Sequence, residues 1–375
     1  MHSVLEGVVK GLFSRWFGQE NYQLECSLRA NMQQIDSRII SLKPPKFVPT
    51  TPRSIYTWKQ WRAHEYLSFI MYYSLPVLVD IMEASHFEHH IKFVLFLEII
   101  LSREIAQTDL EFAQSVIIEY VKEFSEIYTP ASMLSGVHEL LHLVECTQNY
   151  GPLNNINCFP FEELNRKVIG SIHGRDLMGE EFIKMLSLIQ SLSATVGNLQ
   201  SNSKYSDFIK KEMNFKTSNR KRLAKAANNE DVKILSKGEL LKEVSINEAI
   251  KKETGIELDE ILVFTKIDYN GILYTSSKID TKNCDSCFTT ADGIFGNVEF
   301  FFTCKKKFYV YAKKIIRLYN PFFWEKFPNR KASIYYCYCS NNIIIEEVCN
   351  IRKCALIFFE EKFFVSTFTS SHLFN

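Results

Sequence analysis

The chain has 375 residues, 46% of them apolar, which is enough to bury a sizeable core and excludes wholesale disorder. Lys and Arg number 44 against 43 Asp and Glu, so any attraction to nucleic acid or to an anionic membrane has to be local. Ten cysteines without regular spacing do not make a disulfide framework and read as reduced thiols of a nuclear or cytoplasmic protein.

The elements follow in chain order. Leu5, Val8, Val9, Leu12, Phe13 and Trp16 form one apolar stripe at helical spacing. Glu6, Lys10 and Arg15 interrupt the segment, so it is not a secretory leader. Pro44, Pro45, Pro49 and Pro52 mark an extended stretch. A second helical pattern runs through Trp58, Trp61, Tyr66, Phe69, Ile70 and Tyr73, and Pro76 is expected to kink or divide it. A run from His90 to Leu101 follows. Its most apolar part, Phe93 to Leu101, carries Glu98 and falls far short of the ~20 residues that a membrane span needs. Thr108 or Asp109 can cap a helix through Phe112, Val116, Ile117, Tyr120 and Phe124. Pro130 sits at a first helical position ahead of residues 131–146. Beyond a loop at 148–158, residues 159–174 and 179–192 carry two more helical patterns. Residues 1–200 therefore read as a helical region.

Residues 201–257 read as a basic polar linker with a short helix. From Lys204 to Lys225 there are eight Lys or Arg against Asp207 and Glu212. From about 258 to 375 the pattern switches to strands. Two β-rich runs flank Asn270-Gly271, a strong hairpin signal. Residues 292–315 repeat the arrangement with Lys305 to Lys307 as the turn, and 341–348 and 354–367 add short strands. The fold class expected is α+β, a helical N-terminal region followed by a small β-rich barrel or sandwich.

Three motifs bear on chemistry. His138-Glu139-Leu140-Leu141-His142 matches H-E-x-x-H, in which two imidazoles on one helical face hold zinc and the glutamate activates its water. Glu162, 20 residues beyond His142, stands where a third ligand would be needed. The plainer reading is two histidines bordering a buried stripe of Leu134, Val137, Leu141 and Val144. Cys284-x-x-Cys287 and Cys337-x-Cys339 offer four thiolates to a zinc ion, or four small packed side chains. Arg220, Lys221, Arg222 and Lys225 suit phosphate contacts, nuclear targeting or a solvated linker. There is no P-loop, dinucleotide-binding glycine fingerprint or nucleophile elbow.

Several segments, taken in order, resemble the C-terminal half of CACTA-type (En/Spm-like) DNA transposases. These are Met1-His2 with Gly7-Val8-Val9; Pro45, Pro52-Arg53-Ser54 and Trp58 to Glu65; Tyr72 to Pro76; and Val137-His138 with His142-Leu143. Gly151-Pro152-Leu153, Phe159-Pro160-Phe161-Glu162 and Ile172-His173-Gly174 complete the series. The resemblance spans roughly residues 1–200, and more weakly the strand-rich tail. It implies the remnant and helical insertion of a ribonuclease-H-like core, in which three carboxylates hold Mg²⁺ in an intact member. Glu162 would be the third carboxylate. Its alternative role is that of a helix first-turn acid favoured by the dipole. The family's first-block Asp would precede Met1, which implies a fragment truncated before its upstream catalytic acids. The resemblance thus implies DNA as a partner, no membrane, no metal at the helix carrying His138, and no independent catalysis. Here the H-E-x-x-H match is incidental, and the rival is a zinc metalloprotease using His138, His142 and Glu162.

Overall fold

The computed structural model describes residues 3–48, 50–156, 159–170, 172, 178–198, 232–241, 244–254, 261–279, 283–304, 307–319, 333–359 and 362–366. By packing, the chain forms two compact units. One comprises Met1–Ile156 with Val232–Asn375, and the other Asn157–Asp231.

The first apolar stripe forms π-helical turns at Ser3–Val9 that run into α1 (Lys10–Phe17), and all six of its residues are buried. Phe13 lies at the centre, its ring 5.0–6.2 Å from those of Trp16, Phe17, Trp58, Trp61, Tyr66 and Phe69. Next come α2 (Met32–Ser41), a 3₁₀ segment at Ile55–Gln60, and α3 (Ala63–Ser68). Five π-helical residues, Phe69–Tyr73, separate α3 from α4 (Ser74–Leu78), the division expected near Pro76. Proline has no N–H to donate, and its ring crowds the preceding turn, so the regular ladder is interrupted just upstream.

α5 (Ala84–Ile100) begins earlier than the apolar run suggests. The Glu83 carboxylate caps it, accepting from the backbone N–H groups of Ser85 and His86. The Ser85 hydroxyl and the His86 imidazole, with smaller help from these backbone bonds, hold the Glu83 carboxyl down at about 2. The helix is apolar nearly all round and buried to match. It packs against α6 (Gln107–Ile127), in which Ala106 holds the N-cap position and the expected cap candidates Thr108 and Asp109 fall inside the first turn. Pro130 opens only a 3₁₀ turn, Pro130–Ser132, and α7 (Ser135–Glu139) starts after it. α8 (Leu143–Tyr150) follows. Among the described residues no helix is long and apolar enough to cross a membrane.

The strands form antiparallel sheets. β1 (Val232–Ile234), β4 (Lys266–Tyr269) and β5 (Ile272–Thr275) make a three-stranded sheet. Asn270 and Gly271 join β4 to β5 with φ of 53° and 79°, the two left-handed residues of a tight hairpin. The larger sheet contains β2 (Glu239–Leu240), β3 (Leu262–Phe264), β6 (Cys287–Thr290), β7 (Phe295–Cys304) and β8 (Lys307–Tyr319). It also contains β9 (Ile334–Glu347), β10 (Ile351–Lys353), β11 (Ala355–Phe359) and β12 (Lys362–Ser366). Its main path runs β10-β6-β7-β8-β9-β12-β11. α11 (Val244–Thr254) lies between β2 and β3 in sequence.

Of the expected barrel or sandwich, a closed barrel is not formed among the described residues: the hydrogen-bonded path ends at β10 and β11, which are joined in sequence through Cys354 but are not paired with each other. β7, β8 and β9 have 10, 13 and 14 residues, whereas β6 and β10 have 4 and 3. Closure needs strands of matched length and a consistent stagger. Ile267 and Tyr274 of the small sheet share a core with Phe288, Val298, Phe301 and Val310 of the large one. The Phe288 ring covers Gly296, its cross-strand partner, where an added Cβ would lie 2.4 Å from the ring. Only glycine fits that close approach.

Helices and strands of the first unit meet at two seams. Residues 43–46 are bonded to the segment that leads into β6. Cys284 N–H donates to Lys43 O, Asn283 Nδ2 to Pro44 O, and Lys46 N–H to Asp285 Oδ1. At the other seam Glu98, buried on α5, accepts from the Ser333 N–H at 3.2 Å and from its hydroxyl at 3.3 Å. Burial pushes the Glu98 carboxyl up to about 8, against the opposing pull of the Ser333 bonds. Its folded pKa exceeds the unfolded one, so its contribution to stability is full below the ordinary carboxylate range and is lost as pH rises through about 8. Urea midpoints measured from about pH 5 to 8.5 should therefore fall with pH, and Glu98→Gln should flatten that fall.

The second unit contains α9 (Phe159–Gly170) and α10 (Met178–Asn198). Phe161, Leu164 and Ile169 on α9, and Ile183 and Leu188 on α10, are exposed.

Candidate functional site

The H-E-x-x-H segment spans an irregular stretch of helix. α7 ends at Glu139, Leu140–His142 winds as a 3₁₀ turn, and α8 resumes at Leu143. The inward stripe is Val137, Leu140, Val144 and Thr147. The expected stripe is thus displaced, since Leu134 is 59% exposed and Leu141 only half-buried. A 3₁₀ turn advances about 120° per residue instead of 100°, which turns Leu140 inward in place of Leu141.

His138 and His142 are both exposed, not bordering a buried stripe. Their Nε2 atoms lie 3.5 Å apart and their rings meet edge to face at 76°. Two imidazole nitrogens at this separation can serve one cation at about 2.0–2.1 Å from each. Glu139 is exposed and edges a cleft of about 240 Å³ between the N-terminal helix and α7, lined also by Gly7, Gly11, Arg15 and Ser132. Arg15 is committed to holding the cleft floor. Its Nε donates to Ser132 Oγ at 2.8 Å, its Nη1 donates to Gly11 O at 2.8 Å, and its guanidinium lies over the Phe124 ring.

Among the described residues no three His, Cys, Asp or Glu side chains converge to hold a metal ion. His138 and His142 can therefore offer two ligands to a cation, and among the described residues no third converges on them. Glu162 falls in the first turn of α9, and its side chain lies outside the described residues. Arg220, Lys221, Arg222 and Lys225 also lie outside them.

Cys284, Cys287, Cys337 and Cys339 do come together, joined by Cys354, in an apolar cluster with Phe295, Ile315 and Val365. Burial pushes the thiols of Cys284, Cys287, Cys337 and Cys339 above their usual range, which opposes the thiolates that a metal site needs. They pack in an apolar cluster, and among the described residues they do not form a group placed to hold a metal ion.

The most polar buried sites are ones that no motif indicates. Lys353 and Asp285 are 4% and 3% exposed, with Nζ 3.1 Å from Oδ1. Lys353 also donates to Leu273 O at 2.7 Å and Asp285 O at 2.5 Å, and it lies over the Tyr274 ring. Alternation on β10 was the available signal, because Lys353 shares the buried face of Ile351. On α5, His89 donates from Nε2 to Tyr120 O at 2.9 Å and His90 reaches Ser74 Oγ at 2.9 Å. Burial drives both imidazoles down to about 3, so they pack as neutral groups. Lys92 pairs with Glu123 at 2.6 Å and Glu119 at 3.5 Å.

Compared with known proteins, the chain matches no family model, no curated protein and no solved structure.

Proposed function

We propose that the chain is a transposase-derived protein of the CACTA (En/Spm-like) type, nuclear or cytoplasmic, which binds DNA or a protein partner. The order of the blocks from Gly7-Val8-Val9 to Ile172-His173-Gly174 carries this reading. Residues of the earlier blocks lie in the core, where Val8, Val9, Trp58, Trp61, Tyr72, Tyr73 and Leu75 are all buried. On this reading the helical region is the remnant and insertion of a ribonuclease-H-like core, and the strands are the β module that follows it. By the resemblance Glu162 is the candidate third carboxylate, and one carboxylate by itself leaves most of an octahedral Mg²⁺ shell unfilled.

Arg220, Lys221, Arg222 and Lys225 are the proposed phosphate contacts. Replacing the four by Ala should weaken retention of duplex DNA equally for all sequences. The slope of log affinity against log salt should become shallower by about 0.9 for each phosphate that goes unpaired. An unchanged slope would remove DNA phosphates as their partner.

The paired imidazoles are the observation behind a second reading, a zinc metalloprotease using His138 and His142 with Glu139 as base. The exposed Glu139→Gln variant separates the two. On the transposase reading its unfolding free energy stays within about 0.5 kcal/mol of the native chain's, and no peptidase activity is present to be lost. A zinc-dependent peptidase activity that Glu139→Gln abolishes would establish the second reading.

A further inference from the structure

The edge of the large sheet carries a feature that neither reading uses. Phe288 on β6 pairs with Lys353 on β10, which sets Cys287 directly opposite Cys354 across the ladder. The Cys354 N–H donates to Cys287 O at 3.3 Å, so the backbones remain paired at that step. Directly opposed residues of an antiparallel pair have Cα atoms about 4.5–5.5 Å apart, inside the range that a disulfide spans. The two sulfurs lie on the same side of the sheet, 3.1 Å apart, and both side chains are fully buried. Both cysteines are free thiols here.

We propose that Cys287 and Cys354 are a modification site, closed to an intrachain disulfide by exchange with a low-molecular-weight disulfide such as oxidised glutathione. One cysteine thiolate attacks the small disulfide, forming a mixed disulfide and expelling one small thiolate. The second cysteine thiolate then attacks the protein sulfur of that bond and expels the other. Two protein thiols are oxidised, one small disulfide is reduced to two thiols, and the two cysteine protons pass to the departing thiolates.

Access comes from the topology. β10 is a three-residue strand hydrogen-bonded to β6 alone, and Cys354 joins it to β11. The sulfurs are therefore reached by a local parting of β10 from β6 that must also break the Lys353–Asp285 pair, while the long strands β7, β8 and β9 stay paired. Burial opposes ionisation of the Cys287 thiol, which makes the exchange slow in the closed sheet. The bond would join residues 67 apart in sequence, a loop long enough for the cross-link to restrict the unfolded chain strongly. Cys337 and Cys339 on β9 and Cys284 ahead of β6 share the cluster, but none of them stands opposite another cysteine in a ladder.

The test uses the full native chain equilibrated with oxidised glutathione, trapped with an alkylating agent and mapped as peptides without reduction. A peptide pair linked through Cys287 and Cys354, released by dithiothreitol, is the expected result. Exposed Cys349 should carry glutathione or the alkylating agent instead. Cys337→Ser should keep the link and Cys354→Ser should lose it. The thermal midpoint of the native chain should rise by several degrees on oxidation, with no rise in Cys354→Ser. Should Cys354→Ser not fold, the native peptide map decides alone. Separate alkylation of Cys287 and Cys354 at equilibrium, or a link from either to a different cysteine, would overturn the proposal.

Discussion

Lys353→Met should lower the unfolding free energy by about 3–5 kcal/mol, the range for breaking a buried ion pair from one side. The ammonium stands where three oxygens need it: Asp285 Oδ1, Asp285 O and Leu273 O. The methionine fills most of the space but leaves a carboxylate at 3% exposure with the Lys46 N–H as its remaining partner, and two carbonyls without that donor. Burial pushes the Lys353 ammonium down from its usual value, and Asp285 pulls it back up. The desolvation of both charges is therefore already opposed by their attraction. Adding Asp285→Asn to Lys353→Met should restore a substantial part of the loss, because the orphaned charge is gone. Denaturant midpoints of the two single variants and the double variant measure this directly. Equal and additive losses would show that the pair contributes no coupling. Asp285 also receives the bond from Lys46, so weakening should extend to the seam between helices and strands.

Phe13→Ala should be as damaging in the helical part, costing about 3–5 kcal/mol. Phe13 is fully buried, with six aromatic rings around it drawn from α1, the 3₁₀ segment at Ile55–Gln60 and the residue that follows it, α3 and the π-helical turn. Rings that meet edge to face cannot slide together to fill the space it leaves, so cavity and transfer terms add. Against a total stability of about 5–15 kcal/mol, the variant should lose its near-ultraviolet signal at much lower denaturant than the native chain. Tyr22, 61% exposed, is the control, and Tyr22→Ala should move the midpoint hardly at all. If Phe13→Ala matched that control, the aromatic cluster would not be the centre of the helical core.

Local chemistry alone was sufficient for much of the architecture. The stripe from Leu5 to Trp16 is a helix with its apolar face inward, because spacing by itself puts those residues on one side. Asn270-Gly271 makes its tight hairpin because those two residues tolerate positive φ. Pro76 marks the break between α3 and α4 because it lacks an N–H. The switch from helices to antiparallel strands along the chain is legible in part, since a period near 3.6 gives way to a period of two, but β1 and β2 already fall within 201–257, the stretch read as a linker.

The candidate sites were legible only as residue types at a given spacing. The i, i+4 interval brings His138 and His142 together, but the 3₁₀ turn between them decides which leucine is buried and leaves both rings in solvent. Four of the five clustered thiols could be named from C-x-x-C and C-x-C, yet the one that faces Cys287 is Cys354, which belongs to neither motif. Strand register made that pairing, and register is a relation between segments 67 residues apart. The same holds for the buried charges. Whether Lys353, Asp285 and Glu98 are solvated or enclosed depends on what other segments lie over them, and with that go their hydrogen bonds and the shift of Glu98 to about 8. Periodicity, turns and breaks act within a few residues, so they can be read along the chain without knowing what it packs against. The open sheet, the register that sets Cys287 against Cys354 and the burial of charge cannot, because each depends on distant strands and helices excluding water from the same place.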